Sequence, residues 1–219
     1  MHKPRWQRRK DDRPGEILHA ALDVFAERGF AAAKLDEVAA KAGVSKGTLY
    51  LYFPSKEDLF RSVVRGLLLP TVAMAEQRIA AHKGPASELL RGLVHTFGRV
   101  ITESKLGAIP KLIVAEAANF PDIAKFYYEE VIKRGMRAMG GLIQRGVDAG
   151  EFRPIPPEQF LPLLMGPLLL LIVWKHGLER AGVPPLPVEA VLDRHADSLL
   201  RALAPEKPAR KEAKHERKN

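Results

Sequence analysis

Lys34–Phe53, KLDEVAAKAGVSKGTLYLYF, is the stretch on which the reading of this chain turns. Leu35, Val38, Ala39 and Ala42 recur at helical spacing and give a short helix one apolar face. Gly43 follows, a residue suited to the backbone where a helix stops and the chain turns sharply. Val44 comes just after the turn, placed to plug the gap between two helices. Ser45 is an N-cap candidate for a second short helix, SKGTLYLYF. Leu49 and Phe53 are four apart and face inward together, which leaves Lys46, Gly47, Thr48, Tyr50 and Tyr52 on the outer side. Two short helices joined by a glycine turn, with hydroxyls and cations outward, make a helix-turn-helix with an intact reading face.

Flanking residues extend the pattern. Ile17, Ala21, Val24 and Phe25 form the inward stripe of a helix from near Pro14 to Arg28, ended by Gly29. Ser55 and Asp58 form a capping box that opens a fourth helix, with Lys56 in its first turn. A helix N-terminus with a lysine beside it can clamp a phosphate.

Gly15–Phe60 resembles the N-terminal domain of the TetR family of bacterial transcriptional regulators. The matching pieces are ILHAALDVFAERGF (Ile17–Phe30), LDEVAAKAGVSKGTLYLYF and PSKEDLF (Pro54–Phe60), in the family's order and spacing. They cover about the first quarter of the chain; beyond Phe60 the family shares architecture rather than motif. One departure stands out. The family has Thr or Ser opening the first short helix, where this chain has Lys34. A hydroxyl there would cap the helix and pair with Glu37, and its loss costs about 1 kcal/mol. Lys34 can still meet a phosphate as a point charge. The resemblance thus implies a DNA-binding set of Lys34, Ser45, Lys46, Gly47, Thr48, Tyr50, Tyr52 and Lys56.

The chain has 219 residues, 46% of them hydrophobic, enough for a sizeable core. It has no cysteine, hence no disulfide framework, which fits a reducing cytoplasm. The N-terminus is basic but lacks the apolar run of a signal peptide. Net charge is +9, and it sits at the ends. Residues 1–13 carry six Lys/Arg against two Asp, and residues 205–219 carry six against three Glu. The body is nearly balanced. We therefore expect a selective reader at 13–60 between a flexible basic arm at 1–12 and a disordered charged tail at 205–219. Lys3, Arg5, Arg8, Arg9 and Lys10 read equally as phosphate or minor-groove contacts and as a solvated tail.

From residue 61 to 204 helices follow one another without strand-like alternation, so the fold class is all-α. Pro70 is expected to kink or break the fourth helix. Further helices are expected at Ala86–Thr102, Lys111–Asn119, Asp122–Ala149, Glu158–Arg180 and Val188–Leu203. Leu161–Trp174, LPLLMGPLLLLIVW, is apolar nearly all round but shorter than a membrane span and interrupted by Pro162, Gly166 and Pro167. One face on the core and another on a second copy accounts for it without a membrane. The resemblance agrees, since TetR-like proteins dimerise through their last two helices.

Catalytic patterns are missing: there is no G-x-S-x-G, H-E-x-x-H, P-loop or dinucleotide fingerprint, so neither an enzyme nor a cofactor is expected. His176 and Glu179 read as a surface pair, not a metal site. His95 reads as a satisfied core or pocket histidine. Glu129 and Glu130 diverge on their helix and form no dyad. TetR-like regulators enclose an effector among the middle helices of the C-terminal domain; candidates here are Phe97, Ile113, Glu116, Phe126, Tyr127, Met165 and Trp174. The aromatics read as core before lining. Glu116 reads as a partner for a ligand cation, as solvated, or as bonded to a nearby arginine. The function implied is a homodimeric regulator, a repressor released from a near-palindromic operator by a small molecule. The alternative is a non-specific or architectural DNA binder that uses its basic ends.

Overall fold

The structure, a computed structural model, describes residues 5–205. Eleven α-helices and no strand occur among the described residues. The first is α1 (Arg5–Arg28), followed by α2 (Leu35–Lys41), α3 (Lys46–Tyr52) and α4 (Lys56–Val63). A π turn (Val64–Leu68) runs without a break into α5 (Leu69–Ala81). Next come α6 (Ala86–Glu103), α7 (Ala108–Glu116) and α8 (Pro121–Tyr127). A second π turn (Tyr128–Ile132) leads into α9 (Lys133–Asp148). After α10 (Pro157–Val173), a third π turn (Trp174–Leu178) and a 3-10 turn (Glu179–Ala181) precede α11 (Val188–Leu203).

Several boundaries differ from the sequence reading. The arm expected at 1–12 is helical from Arg5: Pro14 removes one backbone bond, and the good helix formers Arg, Gln and Lys carry α1 across it. Residues 1–4 and 206–219 lie outside the described residues, and with them nearly all of the tail expected at 205–219. Pro70 does not break its helix. The Leu69 N–H donates to Val64 five residues back, and this widened turn accommodates the proline ring. Helix α7 starts three residues earlier than expected, because Pro110 fits within a first helical turn, where its missing N–H costs nothing.

Two apolar cores organise the chain. The first joins α1–α4 around Ile17, Phe25, Phe30, Leu49 and Phe60, all buried. Phe25, Phe30 and Phe60 stack mutually at 5.4–5.6 Å between centroids. This core does not stop at residue 60. It takes in Val63, Val64 and Leu68 from the connecting helix and Ile109, Leu112, Ile123 and Tyr127 from α7 and α8. The second core lies among α6, α9, α10 and α11, with Leu90, Leu142, Leu168, Ile172 and Leu192 buried. There α6 and α11 cross so closely that any Cβ at Gly98 would strike the Leu192 side chain.

Helix α10 and its extension, Glu158–Ala181, are long and apolar enough to span a bilayer by length and composition, because neither Pro162 nor Pro167 stops the helix. Length therefore does not set this helix apart from a span. Phe160, Leu164, Leu168, Leu171 and Ile172 are buried in the second core, while only 22% of the most apolar stretch is buried in all.

Candidate nucleic-acid interface

The reading helix is set by local chemistry. Gly43 adopts φ +66°, the left-handed turn that ends α2 and aims α3 away from it. Ser45 caps α3: its Oγ accepts from the Thr48 N–H at 3.1 Å and shares a hydrogen bond with Thr48 Oγ1 at 2.8 Å. Leu49 is fully buried and Phe53 nearly so, which turns the opposite side of α3 to solvent. At the start of α2, the Glu37 carboxylate accepts from the Lys34 N–H at 3.4 Å, so half of a capping box survives without a hydroxyl.

Lys34, Ser45, Lys46, Gly47 and Tyr50 are exposed, and Thr48 is half-exposed on the same helix. Tyr52 is half-buried against the first core. The Lys46 ammonium is held by Asp36, 2.9 Å away, and this hydrogen bond raises its pKa. An exposed pair of this kind is weak enough to exchange one partner for a phosphate.

Lys56 sits differently from expectation. Its ammonium donates to the carbonyls of Ala31 (2.8 Å) and Ala33 (3.2 Å) and lies 4.8 Å from the Phe30 ring centroid. In this structure it clips the α1–α2 turn. Sequence reasoning also missed Leu51, which is 82% exposed on the reading helix. The signal was present, since Leu51 lies four residues from Gly47 and opposite Leu49 and Phe53.

The seven effector-pocket candidates do not line one cavity. Ile113, Phe126 and Tyr127 belong to the first core, while Phe97 and Met165 pack on the second. Burial pushes the Tyr127 hydroxyl far above its ordinary pKa. Trp174 donates its indole N–H to Pro184 O at 2.8 Å. Glu116 pairs with no arginine among the described residues; it accepts from the Ala31 N–H (3.3 Å) and from Asn119 Nδ2 (3.2 Å). The space beside it, about 10 Å³, holds one water at most. A larger groove of about 290 Å³ opens elsewhere, between α9 and the start of α10. Met136, Met139, Ile143, Val147, Ile155 and Phe160 line it, and none of the seven candidates does.

The other polar residues singled out in the sequence have identified neighbours. His176 is no surface partner of Glu179: its ring nitrogen meets Ile101 O at 2.7 Å, while Glu179 pairs with Lys175. His95 lies between Glu189 and Asp193. Glu129 and Glu130 diverge, to Lys133 and Arg65 respectively.

Comparison with known proteins places this architecture. Residues 17–63 match the family described as bacterial regulatory proteins, tetR family, and residues 81–194 match the tetracyclin repressor-like C-terminal domain. The chain is 30% identical over 154 residues to the HTH-type transcriptional regulator YfiR of Bacillus subtilis, covering 68% of this chain and 72% of that protein. It is likewise 30% identical over 145 residues to the HTH-type transcriptional repressor KstR2 of Mycobacterium tuberculosis, 66% of this chain and 71% of that one. The structure of the ketosteroid regulator KstR2 aligns with a TM-score of 0.68 at 25% identity, over 89% of this chain and 96% of that chain. The Bacillus subtilis regulator FadR, solved in complex with stearoyl-CoA, shares the fold with a TM-score of 0.68 at 20% identity, over 86% of this chain and 98% of its own. The reading helix, the two-core architecture and these likenesses agree: the chain belongs to the TetR family of DNA-binding transcriptional regulators.

Proposed function

We propose that the protein is a homodimeric cytoplasmic repressor whose two α3 helices enter successive major grooves of a near-palindromic operator, and that a small apolar effector releases it. The observation that carries this reading is the outer face of α3, where Gly47, Tyr50 and Leu51 stand exposed. Lys46 and Thr48 are the candidates for base edges or phosphates. The tyrosine hydroxyls and Lys34 are candidates for phosphates, which fix register rather than sequence.

Dimerisation is supported by α10. Leu163, Leu170 and Val173 are 49%, 54% and 42% exposed, and with Gly166 they form one stripe on the side away from the second core. The groove between α9 and α10 supports an effector with an apolar body, because its lining is aliphatic, thioether and, at Phe160, aromatic, with Gln144 as a polar handle. KstR2 and the stearoyl-CoA complex of FadR point the same way. An effector can shift the two reading helices only as far as it binds the two forms unequally.

The test is selection from random duplex DNA at physiological salt, followed by sequencing. An enriched near-palindrome supports a dimeric reader and supplies a probe for effector release, with stearoyl-CoA as the first ligand to titrate. Binding without enrichment that collapses steeply with salt would instead favour the architectural reading.

A further inference from the structure

Leu51 is more exposed than any other large hydrophobic side chain among the described residues. Burial therefore gives it no part in the fold. Its position is specific. On a helix it falls in line with Gly47, one turn before it, and next to Thr48, on the side opposite Leu49 and Phe53. Around Gly47 a Cβ would find only the Ser45 hydroxyl, 3.9 Å away, so the backbone there is bare and free to approach a surface closely. The nearest cation on this helix, Lys46, is tied to Asp36 on α2. The centre of the reading face is thus a strip of bare backbone, a hydroxyl and an isobutyl group.

An isobutyl group makes no hydrogen bond, so it cannot read guanine, adenine or cytosine edges. The one apolar group that distinguishes a base in the major groove is the C5-methyl of thymine. We propose that Leu51 packs on the C5-methyl of a thymine at one position of each half-site and fixes that base by its methyl group alone. This rests on the proposed reading of DNA through α3.

The experiment replaces each thymine of the selected operator in turn with uracil, which removes only the methyl group, and measures binding by the intact chain and by Leu51→Ala. Because Leu51 is exposed, the variant should fold, which circular dichroism checks. Loss of one methyl contact is expected to weaken wild-type binding about fourfold when one half-site is changed and about fifteenfold when both are. Leu51→Ala should bind the thymine operator about as weakly as wild type binds the uracil one, and should distinguish the two bases by less than about twofold. Two results overturn the inference: wild type tolerating uracil at every position, or Leu51→Ala keeping full discrimination at the sensitive one. If Gly47→Glu abolishes binding while uracil is tolerated throughout, only the role of Leu51 falls. If no site is enriched at all, the reading through α3 falls and this inference with it.

Discussion

Replacing Lys56 with methionine separates two roles that one lysine can play. The substitution keeps the stem and removes the charge. In the free protein it deletes two hydrogen bonds, to Ala31 O and Ala33 O, and the cation lying over Phe30. A hydrogen bond from a charged donor contributes roughly 1.5–3 kcal/mol when shielded. Here the ammonium is only partly covered, so about 1 kcal/mol for the pair and about 0.5–1 kcal/mol for the ring contact is the appropriate scale. Lys56→Met should therefore destabilise the protein by roughly 2 kcal/mol, a fall in Tm of about 4–8 °C for a chain of this size.

A phosphate contact makes a different prediction. It leaves the free protein's stability alone and lowers the slope of log affinity against log salt by about 0.9 per subunit. Denaturation of the free protein and operator titration at several salt concentrations read both quantities. Lost stability with the salt slope kept is the expected result. Unchanged stability with a slope reduced by about two per dimer would refute the clip and restore Lys56 to the DNA.

Other expectations follow from the same geometry. Tyr50→Phe and Tyr52→Phe should each weaken operator binding about fivefold per lost hydrogen bond without changing the selected sequence, which a repeat selection checks. Leu170→Asp puts a carboxylate into the exposed stripe of α10 and should convert dimer to monomer in sedimentation runs at micromolar concentration, with helical content kept. Phe120→Ala removes the edge-to-face contact with Phe30 at 4.8 Å and should cost about 2 kcal/mol by denaturation. Burial lowers the pKa of both His176 and His195, so the unfolded chain takes up protons first. Stability is then full above the ordinary histidine value of 6.5 and declines as pH falls from there towards the lowered folded values. Denaturation midpoints at pH 7.5 and 5.5 should show this, with a flatter dependence when both are changed to Gln.

The helix-turn-helix was legible because its determinants are local. Gly43, the Ser45 cap and the Leu49/Phe53 pair act within a few residues of one another, and spacing alone exposes them. What was not legible depends on partners far along the chain. The carboxylate of Glu116 is used by a backbone N–H 85 residues away, and the Lys56 ammonium by carbonyls 25 and 23 residues away. Backbone partners leave no trace in side-chain chemistry, so Glu116 reads as a ligand partner, as solvated or as bonded to an arginine, and Lys56 reads as a phosphate contact. The effector candidates are dispersed for a second reason. A helix apolar on every side, such as α10, does not declare which face points inward, so Met165 and Trp174 could not be assigned to a common cavity. The π turns share this cause: the widened turn at Val64–Leu68 reflects Pro70 together with packing on α1, where a Cβ at Gly66 would meet Leu18 at 2.6 Å.

The contacts that later helices make with the end of α1 and the turn after it constrain how any effector signal reaches DNA. Lys105 pairs with Asp23, and Arg180 donates to Ala26 O at 3.0 Å. Phe120 packs on Phe30, and Glu116 accepts from the Ala31 N–H. All four land between Asp23 and Ala31, on the end of α1 and the turn into α2. The Ala31 residue is held from both sides, its N–H by Glu116 of α7 and its carbonyl by Lys56 of α4. A displaced α7 therefore pulls on the turn that fixes the start of α2, and α3 follows through the Gly43 turn. Arg180 stands at the end of the extension of α10, the helix that carries the exposed apolar stripe. One continuous helical element thus links the proposed subunit interface to α1, while α7 and α8 link the middle of the C-terminal domain to the same place. Because the first core runs unbroken from α1 into α8, bending within the reader is costly. The π turns at Val64–Leu68 and Tyr128–Ile132, which both pack on this core, meet through Arg65 and Glu130 at 2.9 Å. In the proposed switch, an effector that alters the spacing of the two reading helices has to move the first core with α7 and α8 as one body.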